Sequence, residues 1–399
     1  MLQHDGMTSE LGALLPADIE AARAVLDRDL SATLRPARDY YEDRIDLLRH
    51  WVSQLRVRIS EQWLLGLIDG TQAAQYYSIL AESVIAAMLP QVTTTLAHTQ
   101  GRLLTGRFVV VAMGKLGSRE MTVQSDLDLV FIYDAPKTAE DTDGPEPAPL
   151  TAYYTKLSQK LIAALMVMTG KGALFDVDMR LRPFGDSGPI ASSLTAFRRY
   201  FEQDAWTWEY MALTRARVIA GDPDLGARVT AEIAAILAKP RSRDKILTDV
   251  SEMRNRIARQ HPSTILWDCK YRRGGLVDIE FIVQAYQLIH AAEAPEILAC
   301  STKDALRRLG QHGFLPRGAA QELEESFSFW QDLQGLVRVS QDRSGDSRVT
   351  PDLFDRVLLD LTGLEDHDAR AARADQASAI AKRHYDELID GSHLVGESP

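Results

Sequence analysis

Two short apolar runs constrain this chain more than any other feature. Phe108-Val109-Val110-Val111-Ala112-Met113 and Leu127 to Tyr133 are rich in β-branched residues, and a Gly-Lys-Leu-Gly-Ser segment follows the first of them. Runs of this length and character are strands covered on both faces, so the pattern predicts strand, turn with a short helix, strand. A third strand is expected from Leu174 to Leu181, where Leu174, Asp176, Asp178 and Arg180 alternate with Phe175, Val177, Met179 and Leu181. Elsewhere the period is helical. Tyr41, Ile45, Leu48, Val52, Leu55 and Ile59 share one stripe, and Thr71 to Leu89 forms a second helix that Pro90 should stop. Tyr153, Leu157, Leu161 and Leu165 predict a helix ending near Gly170. Late in the chain come the stripes Ile246, Val250, Met253, Ile257 and Leu323, Phe327, Trp330, Leu333, Val337. The first thirty-odd residues read as loosely helical, and Asp134 to Pro149 as a solvated loop. The expected class is α+β: a helical region over 1–95, a small mixed sheet with its helices over 96–225, and a helical bundle over 226–399.

Composition excludes several function classes. The 45 Lys and Arg against 56 Asp and Glu leave a charge of −11, which argues against broad nucleic-acid binding. Cys269 and Cys300 are too few for a disulfide framework or a Cys-rich zinc site. No stretch resembles a membrane span and Met1 to Leu15 resembles no signal peptide, so the expectation is a cytoplasmic protein with no membrane partner.

The chemistry concentrates in three places. Asp126 and Asp128 stand at i and i+2 where a strand begins, so both carboxylates leave one face with Cα atoms about 6.5–7 Å apart. Like charges that close repel, and a divalent cation relieves the repulsion; Asp178, on the polar face of the third strand, would complete an oxygen shell suited to Mg²⁺. Gly117 and Ser118, where a strand has ended and a helix begins, are small enough for backbone N–H groups to approach a phosphate, and Lys115 adds positive charge. This is the layout of two-metal phosphoryl or nucleotidyl transfer. No Walker loop and no G-x-G-x-x-G after a strand is present. Taken singly, a D-x-D is most often a solvated strand end, a Gly-Ser a turn, and Asp178 with Arg180 and Arg182 a surface ion-pair ladder. Their order and spacing together favour a site.

The stretches Val110 to Val130, Val177 to Pro183 and Gly274 to Phe281 resemble the bifunctional glutamine synthetase adenylyltransferase/adenylyl-removing enzymes, a family of DNA polymerase β-like nucleotidyltransferases. The resemblance runs from about Tyr40 to about Val339. Members carry two similar halves of roughly this length, and Ala205 to Val218 with Gly221-Asp222-Pro223 looks like the C-terminal, adenylylating half. The family usually has two glycines where this chain has Gly117-Ser118, and a serine hydroxyl can donate to a phosphate in the second position. The resemblance implies a polymerase β-like catalytic domain and transfer of AMP from ATP to a tyrosine hydroxyl of glutamine synthetase, releasing pyrophosphate. Asp126 and Asp128 would bridge two Mg²⁺ ions, Asp178 would bind the second and accept the tyrosine proton, and Gly117, Ser118 and Lys115 would hold the triphosphate. Arg180 and Arg182 share parity with Asp178 and would face phosphate or an acidic target, with a scaffold ion pair as the equal alternative. Trp206 and Trp208 are expected in the core rather than stacked on adenine, and Gly274-Gly275 with Asp278 and Glu280 as a loop ordering the bundle against the site rather than a second carboxylate site. The nine histidines have no metal-ligand spacing. Implied partners are glutamine synthetase and the PII signalling protein, with glutamine as effector.

Three other readings compete. Phosphorolytic removal of AMP keeps the fold and reverses the reaction; a non-catalytic module binding a PII-type protein would leave the acids vestigial; a tRNA-type nucleotidyltransferase shares the acids but fits poorly with net acidity.

Overall fold

The computed structural model describes residues 15–36, 41–103, 105–136, 141–167, 173–263, 268–340, 358–359 and 367–391. Three helices precede the sheet: α1 (Ile19–Leu34), α2 (Tyr41–Leu64) and α3 (Gly70–Gln100). The middle of the chain runs β1 (Arg107–Ala112), α4 (Gly114–Ser118), β2 (Leu127–Asp134), α5 (Leu150–Met166), β3 (Val177–Asp178), β4 (Ala191–Ser193), α6 (Leu194–Gln203), α7 (Thr207–Leu213) and β5 (Arg217–Gly221). Helices α8 (Pro223–Leu237), α9 (Arg243–Gln260), α10 (Leu276–His290), α11 (Thr302–Gln311), α12 (Ala319–Ser340) and α13 (His367–Tyr385) follow. Helix dominates around one small mixed sheet, an α+β arrangement.

The two apolar runs form the centre of that sheet. β1 and β2 pair antiparallel with Val110 opposite Phe131, β5 pairs antiparallel with the far edge of β1, and β3 and β4 lie parallel along the free edge of β2. Val109, Val111, Val130 and Ile132 point into a core shared with α6 to α13. Val110, Ala112, Leu129 and Phe131 point into a second core shared with α1, α2, α3 and α5. Burial on both faces is why these strands are continuously apolar rather than alternating.

Three expectations change. Residues 19–34 form a regular helix: Asp18 accepts the N–H of Ala21 as N-cap, and Ala22, Leu26, Leu30 and Leu34 bury one stripe. Helix α3 passes through Pro90 to Gln100. Proline removes the bond to the carbonyl of Ala86, but Ala86 and Pro90 are both exposed, so water can take that carbonyl while Met88, Val92 and Leu96 stay buried. Helix α3 is long and apolar enough, by length and composition, to cross a membrane, yet most of it is buried between its neighbours, as in a core helix. The third strand shrinks to Val177–Asp178 because Arg182 turns the chain back, donating from its backbone N–H and its Nη1 to the carbonyl of Met179. Gly170, the expected end of the helix now labelled α5, lies outside the described residues, as does the side chain of Tyr41.

Buried charges join segments that are distant in the chain. Glu82 on α3, almost fully buried, accepts from Arg23, Arg119 and Arg217. Glu120, just past α4, accepts from the Thr302 N–H at 2.7 Å, and Arg215 lies 3.6 Å from Glu120 and 3.2 Å from Glu280. The second network fastens the sheet to α10 and α11.

Candidate active site

The second residue of β2 is Asp128, and in the parallel register between β2 and β3 its partner is Asp178. Asp126 stands two residues earlier, exposed, just before the strand. Burial, and then the charges of Asp178 and Asp126, push the Asp128 carboxyl up to about 6. The three acids therefore share one field, and Asp128 bears the strain of it. Arg180 occupies Asp178: its backbone N–H donates to Oδ1 at 2.8 Å, its Nε to Oδ2 at 2.8 Å, and its Nη2 to Oδ2. These bonds hold the Asp178 carboxyl below the usual carboxylate range. The Arg180 side chain is 76% exposed, so the clasp sits at the surface and can open.

The other residues marked in the sequence are placed differently. The Ser118 hydroxyl is buried and donates to Glu120 at 2.9 Å. Gly117 has no room for a side chain, because a Cβ would run into the carbonyls of Arg215 and Ala112. Lys115 reaches Gln334 on α12 through its Nζ, and burial brings its ammonium down to about 8. Arg182 is buried and staples its own loop, donating to Met179 at 2.7 Å and lying 3.5 Å from Asp186. Of the nucleotide-binding candidates, Arg180 alone lies on the carboxylates.

Trp206 and Trp208 are not core residues: they are 72% and 40% exposed. The buried face of α7 is Glu209, Met211 and Leu213. Glu209 accepts the backbone N–H of Trp206 and the hydroxyl of Tyr200, which fixes the start of the helix and leaves both indoles outside. Asp278 and Glu280 are engaged by Arg254 and Arg215 respectively.

Two residues at the site escaped the sequence reading. Gly114, with φ of +52°, packs so tightly on Asp128 that a Cβ would overlap Oδ2. Its signal was available: a glycine ending an apolar strand is where backbone must come close to something. Lys270, before α10, is one of the cations pulling Asp128 back down, and no local pattern announced it. Gly114→Ala should cost about 1–3 kcal/mol from the left-handed backbone and the overlap. The shift of Asp128 should also cut turnover at least roughly tenfold; chemical denaturation and a turnover assay on the same preparation check both parts.

An all-oxygen donor set of crowded carboxylates suits a hard divalent cation. As the side chains stand, no group of three or more His, Cys, Asp or Glu among the described residues converges on one metal position. Arg180 engages both oxygens of Asp178, so an ion there would have to take its place. A small, partly open pocket lies between α2, α3 and α12, lined by Trp63, Tyr77, Met121 and Gln331 among others, and none of the three carboxylates lines it.

Comparison with known proteins adds an independent constraint. A family model described as glutamate-ammonia ligase adenylyltransferase matches residues 6–232, and one described as GlnD PII-uridylyltransferase matches residues 244–388. Among curated relatives, bifunctional glutamine synthetase adenylyltransferase/adenylyl-removing enzymes from Mesorhizobium japonicum and Rhodopseudomonas palustris (strain TIE-1) are 39% and 38% identical over 92% of this chain. That of Bradyrhizobium diazoefficiens is 36% identical over 93% of it. The chain spans 37% of the length of each of these relatives.

Proposed function

Because this chain belongs to the glutamate-ammonia ligase adenylyltransferase family, we propose that it is a nucleotidyltransferase that moves AMP from ATP to a tyrosine hydroxyl of glutamine synthetase and releases pyrophosphate. The observation carrying this reading is the register that sets Asp178 opposite Asp128, with Asp126 two residues away. We read the mixed sheet as a polymerase β-like catalytic core on the same ground. Asp126 and Asp128 would hold two Mg²⁺ ions, and Asp178 one of them. When bound, such ions supply positive charge to the triphosphate oxygens and to the pyrophosphate that leaves.

The chain's own residues account for the remaining steps. Gly114 lets the backbone after β1 lie against Asp128 and fixes its carboxylate. Arg180, once it leaves Asp178, frees both oxygens and raises their basicity, because the bonds that depressed the carboxyl are gone. Asp178 then accepts the proton of the tyrosine hydroxyl, ordinarily near 10, as that oxygen attacks the α-phosphorus and the bond to the pyrophosphate oxygen breaks. Arg180 is left facing the phosphates. Lys115, Gly117 and Ser118 contribute by holding α4, and through it Gly114, in place. Residues 244–388, given their match, are where we place a PII-type protein and a glutamine effect, and the cytoplasm is where both ATP and glutamine synthetase would be met.

Incubation with unmodified glutamine synthetase and ATP labelled in the α-phosphate should label the protein substrate, and Asp178→Asn should abolish labelling while ATP still binds. Label appearing at the normal rate with Asp178→Asn removes its role as base. If the chain instead releases AMP as ADP from adenylylated glutamine synthetase in phosphate buffer, and never labels the unmodified form, the reaction runs in the opposite direction.

A further inference from the structure

Helix α4 is too short to hold itself in place. Its five residues close bonds from the Gly117 N–H to the Met113 carbonyl and from the Glu120 N–H to the Lys115 carbonyl, both at 2.8 Å, and Arg119 then turns left-handed with φ of +58°. Its start lies on a carboxylate of the site. The Met113 N–H donates to the Asp128 carbonyl at 2.8 Å, and Gly114 packs where a Cβ would overlap Asp128 Oδ2. Its end is gripped from two directions. On one side Arg217, anchored on Glu82, donates to the carbonyls of Leu116 at 2.9 Å and Gly117 at 3.0 Å.

The other grip comes from the C-terminal helices, where Lys115 reaches Gln334 and Glu120 reaches α11. Glu120 Oε1 accepts the Thr302 N–H at 2.7 Å, and its Oε2 accepts the Ser118 hydroxyl at 2.9 Å and the Thr302 hydroxyl at 3.2 Å. The same Thr302 oxygen accepts from Arg215 Nη2 at 3.0 Å, and that nitrogen lies 3.2 Å from Glu280 on α10. Arg215 also meets α4 through its backbone, since a Cβ on Gly117 would run into its carbonyl. Ser118, Glu120, Arg215 and Thr302 are each at most 7% exposed. A buried ion network adds little net stability over an apolar contact of the same shape, because desolvation offsets the attraction. What its directional bonds add is a fixed placement of α4 against α10 and α11.

We propose that Thr302 and Glu280 are positioning residues for the transfer reaction. Acting through Glu120 and Arg215 they hold α4, and through Met113 and Gly114 the Asp128 carboxylate, from outside the 6–232 segment that matches the adenylyltransferase model. This rests on the reading of Asp128 as part of a nucleotidyl-transfer site. The C-terminal helices thereby act on turnover through α4.

Steady-state transfer of labelled AMP, with thermal melts and hydrogen exchange on the full chain, tests it. Thr302→Val keeps the N–H and the volume but loses both hydroxyl bonds. It should lower kcat about tenfold or more and leave the KM for ATP within about twofold, since misplacing a reacting group by about an ångström slows the chemical step. Thr302→Ser should recover most of the rate, and Glu280→Gln, which strips Arg215 of a counter-charge, should repeat the loss in kcat. Backbone amides over 113–120 should exchange faster in Thr302→Val while its thermal midpoint moves by only a few degrees. Wild-type kcat in both folded variants, a change confined to KM, or unaltered exchange over 113–120 overturns the inference and leaves the nucleotidyl-transfer reading intact. A wild-type chain that transfers AMP in neither direction removes that reading and the inference with it.

Discussion

Asp128→Asn should make the protein inactive and more stable at the same time. The carboxyl titrates near about 6 in the folded chain and near about 4 in the unfolded one. Between those values the folded state binds more protons than the unfolded state, so stability falls as pH rises through the window, and the whole penalty is present above it. Its size is on the order of 2–3 kcal/mol. Asparagine cannot ionise, so the variant escapes the penalty and also relieves the repulsion on Asp126 and Asp178. In thermal melts the variant should gain a few degrees at pH 7.5 and nothing at pH 4. The pH-dependent step of the wild type between about 4 and 6 should shrink. Transfer of labelled AMP should fall roughly 10³-fold or more, because a carboxylate assigned to both metal positions is lost. Destabilisation at neutral pH, or activity within tenfold of wild type, would contradict the placement of Asp128 at the centre of the acid cluster. The pairing of lost turnover with gained stability separates a functional carboxylate from a structural one, whose removal costs stability.

Asp278→Ala should show the structural counterpart. Asp278 and Arg254 are both fully buried, and Nη1 of Arg254 has no hydrogen-bond partner among the described residues. Removing the carboxylate leaves a buried guanidinium without its counter-charge and the Gly274 N–H without an acceptor, a loss of about 3–5 kcal/mol. Urea unfolding should register it as a lower midpoint. Replacing both partners, Asp278→Leu with Arg254→Met, should restore much of the loss, because an apolar pair carries no desolvation cost. A single variant that loses less than about 1 kcal/mol would mean the pair is solvated or dispensable.

Much of the fold was legible because burial imprints a local period. The i, i+4, i+7 stripe of Ile45, Leu48, Val52, Leu55 and Ile59 is all buried in α2, and the two β-branched runs became the doubly covered strands. The failures have local physical causes as well. Pro90 predicts a stop, but Ala86, whose carbonyl it orphans, is exposed to water and the helix runs on to Gln100. The alternation from Leu174 to Leu181 suggested a long strand, but the side chain of Arg182 competes for the Met179 carbonyl and bends the chain away after Asp178. Arg180 and Arg182 then lose the shared parity that a strand would have given them. Trp206 and Trp208 looked like core by residue type, but the capping role of Glu209 puts them beyond the buried face of α7.

Within the candidate site, the sequence by itself singles out Asp126 and Asp128 through their i, i+2 spacing where a strand is expected. It also marked Asp178 through alternation. Tertiary structure decided which groups those acids meet: the register that sets Asp178 against Asp128, the backbone of Gly114 pressed on Oδ2, and the clasp of Arg180. It likewise decided that Lys115 and Ser118, three residues apart on α4, meet Gln334 and Glu120. Periodicity records which face of an element is dry. Which distant residue lies across from that face depends on register and chain closure, and no local pattern in the sequence encodes either.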